Sequence, residues 1–309
     1  MPGRPIYRRY RLLETEKPNP RSRNVDLLSA LGIVRLMNRE DAKVASAVGR
    51  QARDIARAVD LIVESLRRGG ALKFVGAGTS GRLGVIEAAE CPPTFQTPPS
   101  LIRAAIAGGP GAIFRSREGA EDDAWAGEAA VRDLRQGDVA VGIAASGMTP
   151  YVLGALRAAR RRRARTILVT SSARRASRPA DIVIALAVGP EVIGGSTRLK
   201  SGSAAKMVLN MLTTAAMIRL GKVYGHWMVD LRPQSRKLRF RAQALVEVLG
   251  QVGWRRAATL LKEAGGSVKT AVLMALGGLE RREAERRLKR AGGFLRQALA
   301  EGRVTRPRI

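Results

Sequence analysis

One cysteine, Cys91, and one histidine, His226, occur in 309 residues. A single cysteine excludes an intrachain disulfide, and a single histidine argues against a conventional zinc site. No apolar run reaches the roughly 18 residues that a membrane-spanning helix needs. The most apolar helical stretch, Met207 to Ile218, is interrupted by Asn210, Thr213 and Thr214. The opening residues, MPGRPIYRRYRLLETEK, carry no apolar signal core, so the expectation is a cytoplasmic protein with no membrane partner. With so little histidine and cysteine, acid–base chemistry must fall to carboxylates, lysine or tyrosine.

Acidic residues are also scarce, 26 against 55 basic ones, for a net charge of +29. Such a field attracts phosphates and other polyanions. The densest basic run, Arg160 to Arg163 with Arg157 and Arg165 beside it, sits between a predicted helix and a predicted strand. Aromatic residues, 4% of the chain, do not interleave it as a base-stacking surface requires, which argues against a nucleic-acid partner. The charge favours an anionic ligand without naming one.

What is present is an alternation. Five short apolar runs, Leu72–Val75, Leu101–Ile106, Val139–Ala144, Thr166–Thr170 and Ile182–Val188, are separated by helical patterns. Buried runs of this length predict parallel strands with crossover helices. The fold class is therefore α/β, a doubly wound parallel sheet sandwiched by helices. Ahead of it, a short apolar helix is predicted over Leu27–Met37, and a long one from an Asn38 cap to about Arg68, closed by Gly69-Gly70. After it come Leu199–Leu220 and a small C-terminal helical module: Phe240–Leu249, Trp254–Glu263, Val268–Leu276, Arg281–Arg290 and Phe294–Ala300. The expected division is an arm and short helix over 1–38, a ligand-binding domain over 39–232 and the helical module over 233–309.

Ligands of such sheets sit beyond the carboxyl ends of the strands, and two Gly/Ser/Thr-rich loops fall there. The first, GAGTSG (76–81), matches G-x-G-x-x-G. A dinucleotide site also needs an acidic residue near the end of the second strand, and SLIRAAIAGG has none. A P-loop needs Lys-Ser/Thr after the last glycine, and Arg82-Leu83 stands there. What remains is hydroxyls and free backbone N–H groups at a helix N-terminus, which suit a phosphate monoester. The second loop, ASGMTP (145–150), repeats that chemistry, with Pro150 fitted to a first helical turn. Two such loops at one sheet edge point to a sugar phosphate.

The segments GAGTSGRLG (76–84), ECPPTF (90–95), EGAED (118–122), GIAASGMTPYV (142–152), GPEVIGGSTRLKSGSAAKMVLNMLTTAAMIRLGKVYG (189–225) and MVDL (228–231) resemble those of the N-acetylmuramic acid 6-phosphate etherases. TEKPNP (15–20) and GGFLRQAL (292–299) extend the resemblance almost end to end. That family lies in the sugar-isomerase (SIS) domain superfamily, with the glucokinase regulatory protein as a more distant relative. The resemblance implies cleavage of the D-lactyl ether at C3, giving N-acetylglucosamine 6-phosphate and D-lactate, with no cofactor and no metal. It also implies a role in N-acetylmuramate catabolism and peptidoglycan recycling, and a homodimer whose second subunit completes each site. The chemistry is elimination in the open-chain aldehyde followed by addition of water.

By the resemblance, Glu90 is the proton donor and Glu121 the carboxylate that removes the C2 proton. Ser80, Ser146 and Thr149 hold the phosphate, with Gly78, Thr79 and Gly147 in the same loops. Arg198 and Lys200 are candidates for the anionic substrate, and Glu191 for orienting sugar hydroxyls or its own loop. A helix end beside Cys91-Pro92-Pro93 is expected to desolvate Glu90. The chain departs from the family pattern at Met148, where arginine is usual, at Ala89, where serine is usual, and around Leu231–Leu238. The other reading is a non-catalytic sugar-phosphate sensor, against which the retained Glu90 and Glu121 count.

Overall fold

A computed structural model of the chain describes residues 13–172, 180–231, 233 and 235–301. The outer limits expected for the arm and the helical module, and the limit at residue 232 with the departure there, lie outside the described residues. Two compact units divide the chain: one holds the residues up to Ala88 with Pro99–Thr213, the other Ala89–Pro98 with the residues from Thr214.

The first unit is the sheet and its helices. Helices α1 (Ala30–Gly49) and α2 (Ala52–Arg67) lead to strand β1 (Leu72–Gly76), helix α3 (Gly78–Phe95) and β2 (Ile102–Ile106). Next come α4 (Ala124–Ala129), β3 (Val139–Ile143), α5 (Pro150–Arg161), β4 (Arg165–Thr170), β5 (Ile182–Ala185) and α6 (Lys200–Arg219); the part of α3 from Ala89 and the part of α6 from Thr214 belong to the second unit. The five strands run parallel in the order β2-β1-β3-β4-β5. Every residue of β1 and β3 is buried. That explains why those strands read as continuous apolar runs, since helices cover both faces. The sheet core includes Val75, Ala140, Val152, Ala155, Leu156 and Leu168.

The five predicted strands and the doubly wound class are borne out. The helices before β1 are not divided as expected. Asn38 lies inside α1, and the cap is Ser29, whose side chain accepts from Gly32 N. The break falls at Arg50-Gln51, just after Gly49. A glycine weakens a helix more than a polar asparagine on an exposed face does, and Ser29 offers the better cap.

The second unit holds the short strands β6 (Val223–Tyr224) and β7 (Trp227–Met228), then helices α7 (Arg236–Gly250), α8 (Trp254–Glu263), α9 (Val268–Gly277), α10 (Arg281–Arg290) and α11 (Leu295–Ala300). Its core gathers Leu245, Val246, Leu249, Leu260, Val272, Leu273 and Leu299. Buried Lys269 donates to Asp230 at 2.7 Å and to the Gly293 carbonyl at 2.9 Å. Burial pulls the Lys269 ammonium down, and the Asp230 carboxylate works against that shift. Lys269 therefore ties the MVDL segment to the GGFL segment. Among the described residues, no helix is long and apolar enough to cross a membrane.

Candidate active site

Strands β1 and β3 are neighbours, and their last residues, Gly76 and Ile143, stand in register. The chain direction reverses here, because β2 lies on one side of β1 and β4 on the far side of β3. The two hydroxyl-rich loops therefore leave the sheet side by side, at the crevice where such folds bind ligands.

The first loop turns at once into α3, which puts Gly78, Thr79 and Ser80 in its first turn. A Cβ on Gly81 would lie 2.6 Å from Ile106 Cγ1 and 2.7 Å from the Gly76 carbonyl oxygen. The last glycine of the motif thus lets the helix start close against the sheet, so the amides of its first turn sit over the strand ends. Those amides have no partner one turn back and favour an anion.

In the second loop Gly147 has φ +70°, where a side chain is strained. A Cβ there would also lie 2.9 Å from Thr170 Oγ1. That hydroxyl donates to the Ala145 carbonyl at 3.1 Å, and Ser171 N donates to the same carbonyl at 2.9 Å. The end of β4 therefore braces the loop. Ser146 Oγ accepts from Met148 N at 3.1 Å, which leaves its hydroxyl proton to donate elsewhere. Thr149 is the N-cap residue of α5, yet its side chain makes no capping bond. Both hydroxyls are thus available beside a second helix N-terminus. A third helix start comes near: a Cβ on Gly202, in the first turn of α6, would lie 3.6 Å from Thr79 Cγ2.

Glu121 sits in a 3-10 turn over Ala120–Asp122 and is exposed. It lines a cavity of about 250 Å³ together with Ala77 and Gly78 of the first loop. The cavity thereby joins the EGAED segment to the GAGTSG loop. Three residues that the sequence reading did not assign also line it: Arg82, Arg117 and Glu118. Their signal in the sequence was adjacency, since Arg82 follows the last glycine and Arg117 and Glu118 precede Glu121 by a few residues. Arg82 donates from Nε to the Ile113 carbonyl and from Nη2 to the Ala112 carbonyl, both at 2.8 Å. It pins the loop that leads to Glu121.

Glu90 lies within α3, which continues through Pro92 and Pro93 to Phe95. It belongs to the second compact unit. It is exposed, whereas Cys91 is buried. The expected helix end beside the prolines is therefore corrected, and this chain's own helix does not desolvate Glu90. The prolines lack the N–H that would bond the carbonyls of Ala88 and Ala89, which leaves two acceptors in the turn before them.

Glu191 is buried and faces the start of α6, accepting from Lys200 N at 3.0 Å and Ser201 N at 2.9 Å. It orients the GSTRLK loop as an anionic helix cap. Both carboxylate oxygens are engaged there. Lys200 is 1% exposed and pairs with the equally buried Glu40 at 2.6 Å. The sequence reading of Lys200 as a ligand for the substrate is corrected on this ground: its ammonium is locked inside a buried pair. Arg198 is exposed in the turn before α6.

Glu40 is a hub to which the sequence analysis gave no role. It also accepts from Asn19 Nδ2 at 3.0 Å, Arg21 Nη1 at 3.2 Å and Lys43 Nζ. Asn19 Nδ2 reaches the Pro190 carbonyl as well, and Gly195 N donates to the Thr15 carbonyl. The TEKPNP segment thus braces GPEV and GSTRLK. Burial alone would raise the Glu40 carboxyl, but bonds from Lys200, Lys43, Asn19 and Arg21 hold it at about 2. A cavity of about 570 Å³ opens around this hub. It contains neither hydroxyl loop, and most of its cations already face Glu40. Tyr151 offers no acid–base alternative, because burial pushes its phenol up to about 12.

The glucokinase regulatory protein N-terminal SIS domain family matches residues 54–160, and the SIS domain family matches 122–215. The N-acetylmuramic acid 6-phosphate etherase of Nostoc punctiforme is 50% identical over 93% of this chain and 94% of its own. That of Symbiobacterium thermophilum is 52% identical over 86% and 90%. The chain belongs to the N-acetylmuramic acid 6-phosphate etherase family. Among solved structures, the phosphoheptose isomerase GmhA from Neisseria gonorrhoeae aligns over 61% of this chain and 99% of its own, with 18% identity and a TM-score of 0.47. Four of the segments that carried the resemblance meet around the sheet edge: two at the switch-point crevice, one at the adjoining cavity and one at the braced start of α6.

Proposed function

We propose that the crevice between β1 and β3 is the active site of an N-acetylmuramic acid 6-phosphate etherase. The enzyme is a carbon–oxygen lyase that releases D-lactate and leaves N-acetylglucosamine 6-phosphate. One observation carries the assignment of the site: the ends of β1 and β3 are in register, so both hydroxyl loops open at one place, and Glu121 lines the cavity that adjoins it. Ser80, Ser146 and Thr149 donate to the 6-phosphate, aided by the amides of Gly78, Thr79 and Gly147. Arg198 adds a cation from the turn before α6. Glu191 acts through α6 by fixing that turn.

With the phosphate fixed, the open-chain sugar presents C2 and C3 to the acids. Glu121 removes the C2 proton, which the C1 carbonyl acidifies. Glu90 gives a proton to the ether oxygen at C3 as lactate departs, and then helps water add at C3. The two carboxyls must differ in protonation at the start, and differing environments set that difference. Both are exposed in a single chain. A second subunit of a homodimer supplies the missing burial. Ile86 and Glu90, four residues apart on α3, are both exposed, as are Met211 and Ile218 on α6, which leaves apolar surface for that contact. The enzyme works in the cytoplasm, in the recycling of peptidoglycan sugars. Domain limits of 39–232 for the sugar-phosphate part and 233–309 for the helical module belong to this reading.

The test is direct. The purified chain, given N-acetylmuramic acid 6-phosphate, is expected to release one D-lactate per sugar, measured with D-lactate dehydrogenase. Tight sugar-phosphate binding with unchanged substrate would favour the sensor reading instead.

A further inference from the structure

We infer that Arg117 is the specificity-determining residue for the lactyl carboxylate of the substrate, an inference that rests on the etherase reading of the same cavity. The substrate carries two anions. The phosphate belongs to the hydroxyl loops, and the carboxylate hangs one carbon from the ether oxygen at C3. It must therefore enter the space next to the reacting carbons, where Glu121 stands. That space also contains Glu118. Two carboxylates repel a third unless a cation lies among them.

Two cations line the cavity, and they are not equivalent. Arg82 already turns Nε and Nη2 onto the Ile113 and Ala112 carbonyls. The Arg117 guanidinium makes no hydrogen bond or ion pair among the described residues, and the residue is exposed where it lines the cavity. Its stem lies over Gly108: a Cβ there would come within 3.0 Å of Arg117 Cδ and 3.1 Å of its Cβ. Its Nη2 would lie 3.3 Å from a Cβ on Gly111. A guanidinium with a seated stem and uncommitted donors is ready for two parallel bonds to a carboxylate. The cation absent at Met148 belonged beside the phosphate loop, so Arg117 addresses a different anion.

The test compares two sugars that differ only by the lactyl group. Binding is measured by calorimetry in the Glu121→Gln background, so that it does not depend on turnover. Arg117→Met is expected to weaken N-acetylmuramic acid 6-phosphate by about tenfold to a hundredfold, the range for losing a charge-assisted pair. N-acetylglucosamine 6-phosphate, which has no carboxylate, should bind within about twofold of the parent, and that binding also certifies the fold. Arg117→Lys should keep part of the preference, having the charge but not the fork. Equal losses for both sugars, or no loss for either, overturns the assignment. Failure of the etherase reading looks different: the unmutated chain then releases no lactate, while the ratio of the two affinities still judges Arg117.

Discussion

Glu121→Gln and Glu90→Gln each lower D-lactate release by about a hundredfold to ten-thousandfold, the range for loss of a positioned acid or base. Each is expected to leave affinity for N-acetylglucosamine 6-phosphate nearly unchanged, because the proposed site assigns the phosphate to hydroxyls and amides of the two loops. Glutamine keeps the shape of glutamate but neither accepts nor delivers a proton at the reacting atoms. The two variants should fail at different steps. Without Glu121 the C2 proton stays, so no deuterium enters C2 in heavy water. Without Glu90 the C2 proton can still exchange, but the ether oxygen leaves as a poor, unprotonated group. Turnover close to normal in both variants contradicts the assignment. Proton NMR of the C2 position, read beside the lactate assay, separates the two roles.

Lys200→Met is expected to act on stability. Lys200 and Glu40 are buried together at 2.6 Å, and removing one member of such a pair typically costs about 3–5 kcal/mol. Arg21 and Lys43 still face Glu40, which places the loss toward the lower end. At roughly 2–4 °C per kcal/mol for large domains, melting should fall by about 6–12 °C. If Lys200 instead gripped the substrate, the variant would keep its melting point and its KM would rise.

The same hub sets a pH dependence. Glu40 is depressed from 4.5 to about 2. A group depressed in the folded state stabilises above its unfolded value, and the contribution fades as pH falls through the folded one. Its worth, roughly 3 kcal/mol by linkage, is thus present above about pH 4.5 and lost toward pH 2. Glu40→Gln should therefore melt well below the parent at pH 7, with the gap closing as pH approaches 2. A gap independent of pH would show that the Glu40 charge is not what stabilises this corner. Glu40→Leu combined with Lys200→Met should recover part of the loss, since no buried charge is then left unpaired.

The sheet was legible because its strands are buried on both faces and the apolar runs have no competing period. The place of the two hydroxyl-rich loops was legible for a related reason: Gly, Ser and Thr between a strand and a helix have few uses other than a tight turn or an anion cradle. Glu90 and Glu121 were not legible from their own surroundings. Exposed glutamates on a helix and a turn are ordinary, and only the flanking motifs marked them. Lys200 misled because a lysine in a Ser/Thr-rich loop looks solvent-facing, and its partner Glu40 stands 160 residues earlier. Arg117 was not singled out, since lining a cavity with Glu121 is a matter of placement that no spacing rule announces. The break at Arg50-Gln51 was missed because both helices share one apolar spacing, so periodicity alone ran through it.

In the proposed reaction the bond broken is between the sugar C3 and the ether oxygen, by elimination and re-addition of water. Running the reaction in 18O-water and reading the 13C isotope shift at C3 of the product tests it most directly. Label is expected on the C3 oxygen of N-acetylglucosamine 6-phosphate and not on the hydroxyl of D-lactate. Label on the lactate hydroxyl, with the C3 oxygen unlabelled, would mean cleavage on the lactyl side and would contradict it.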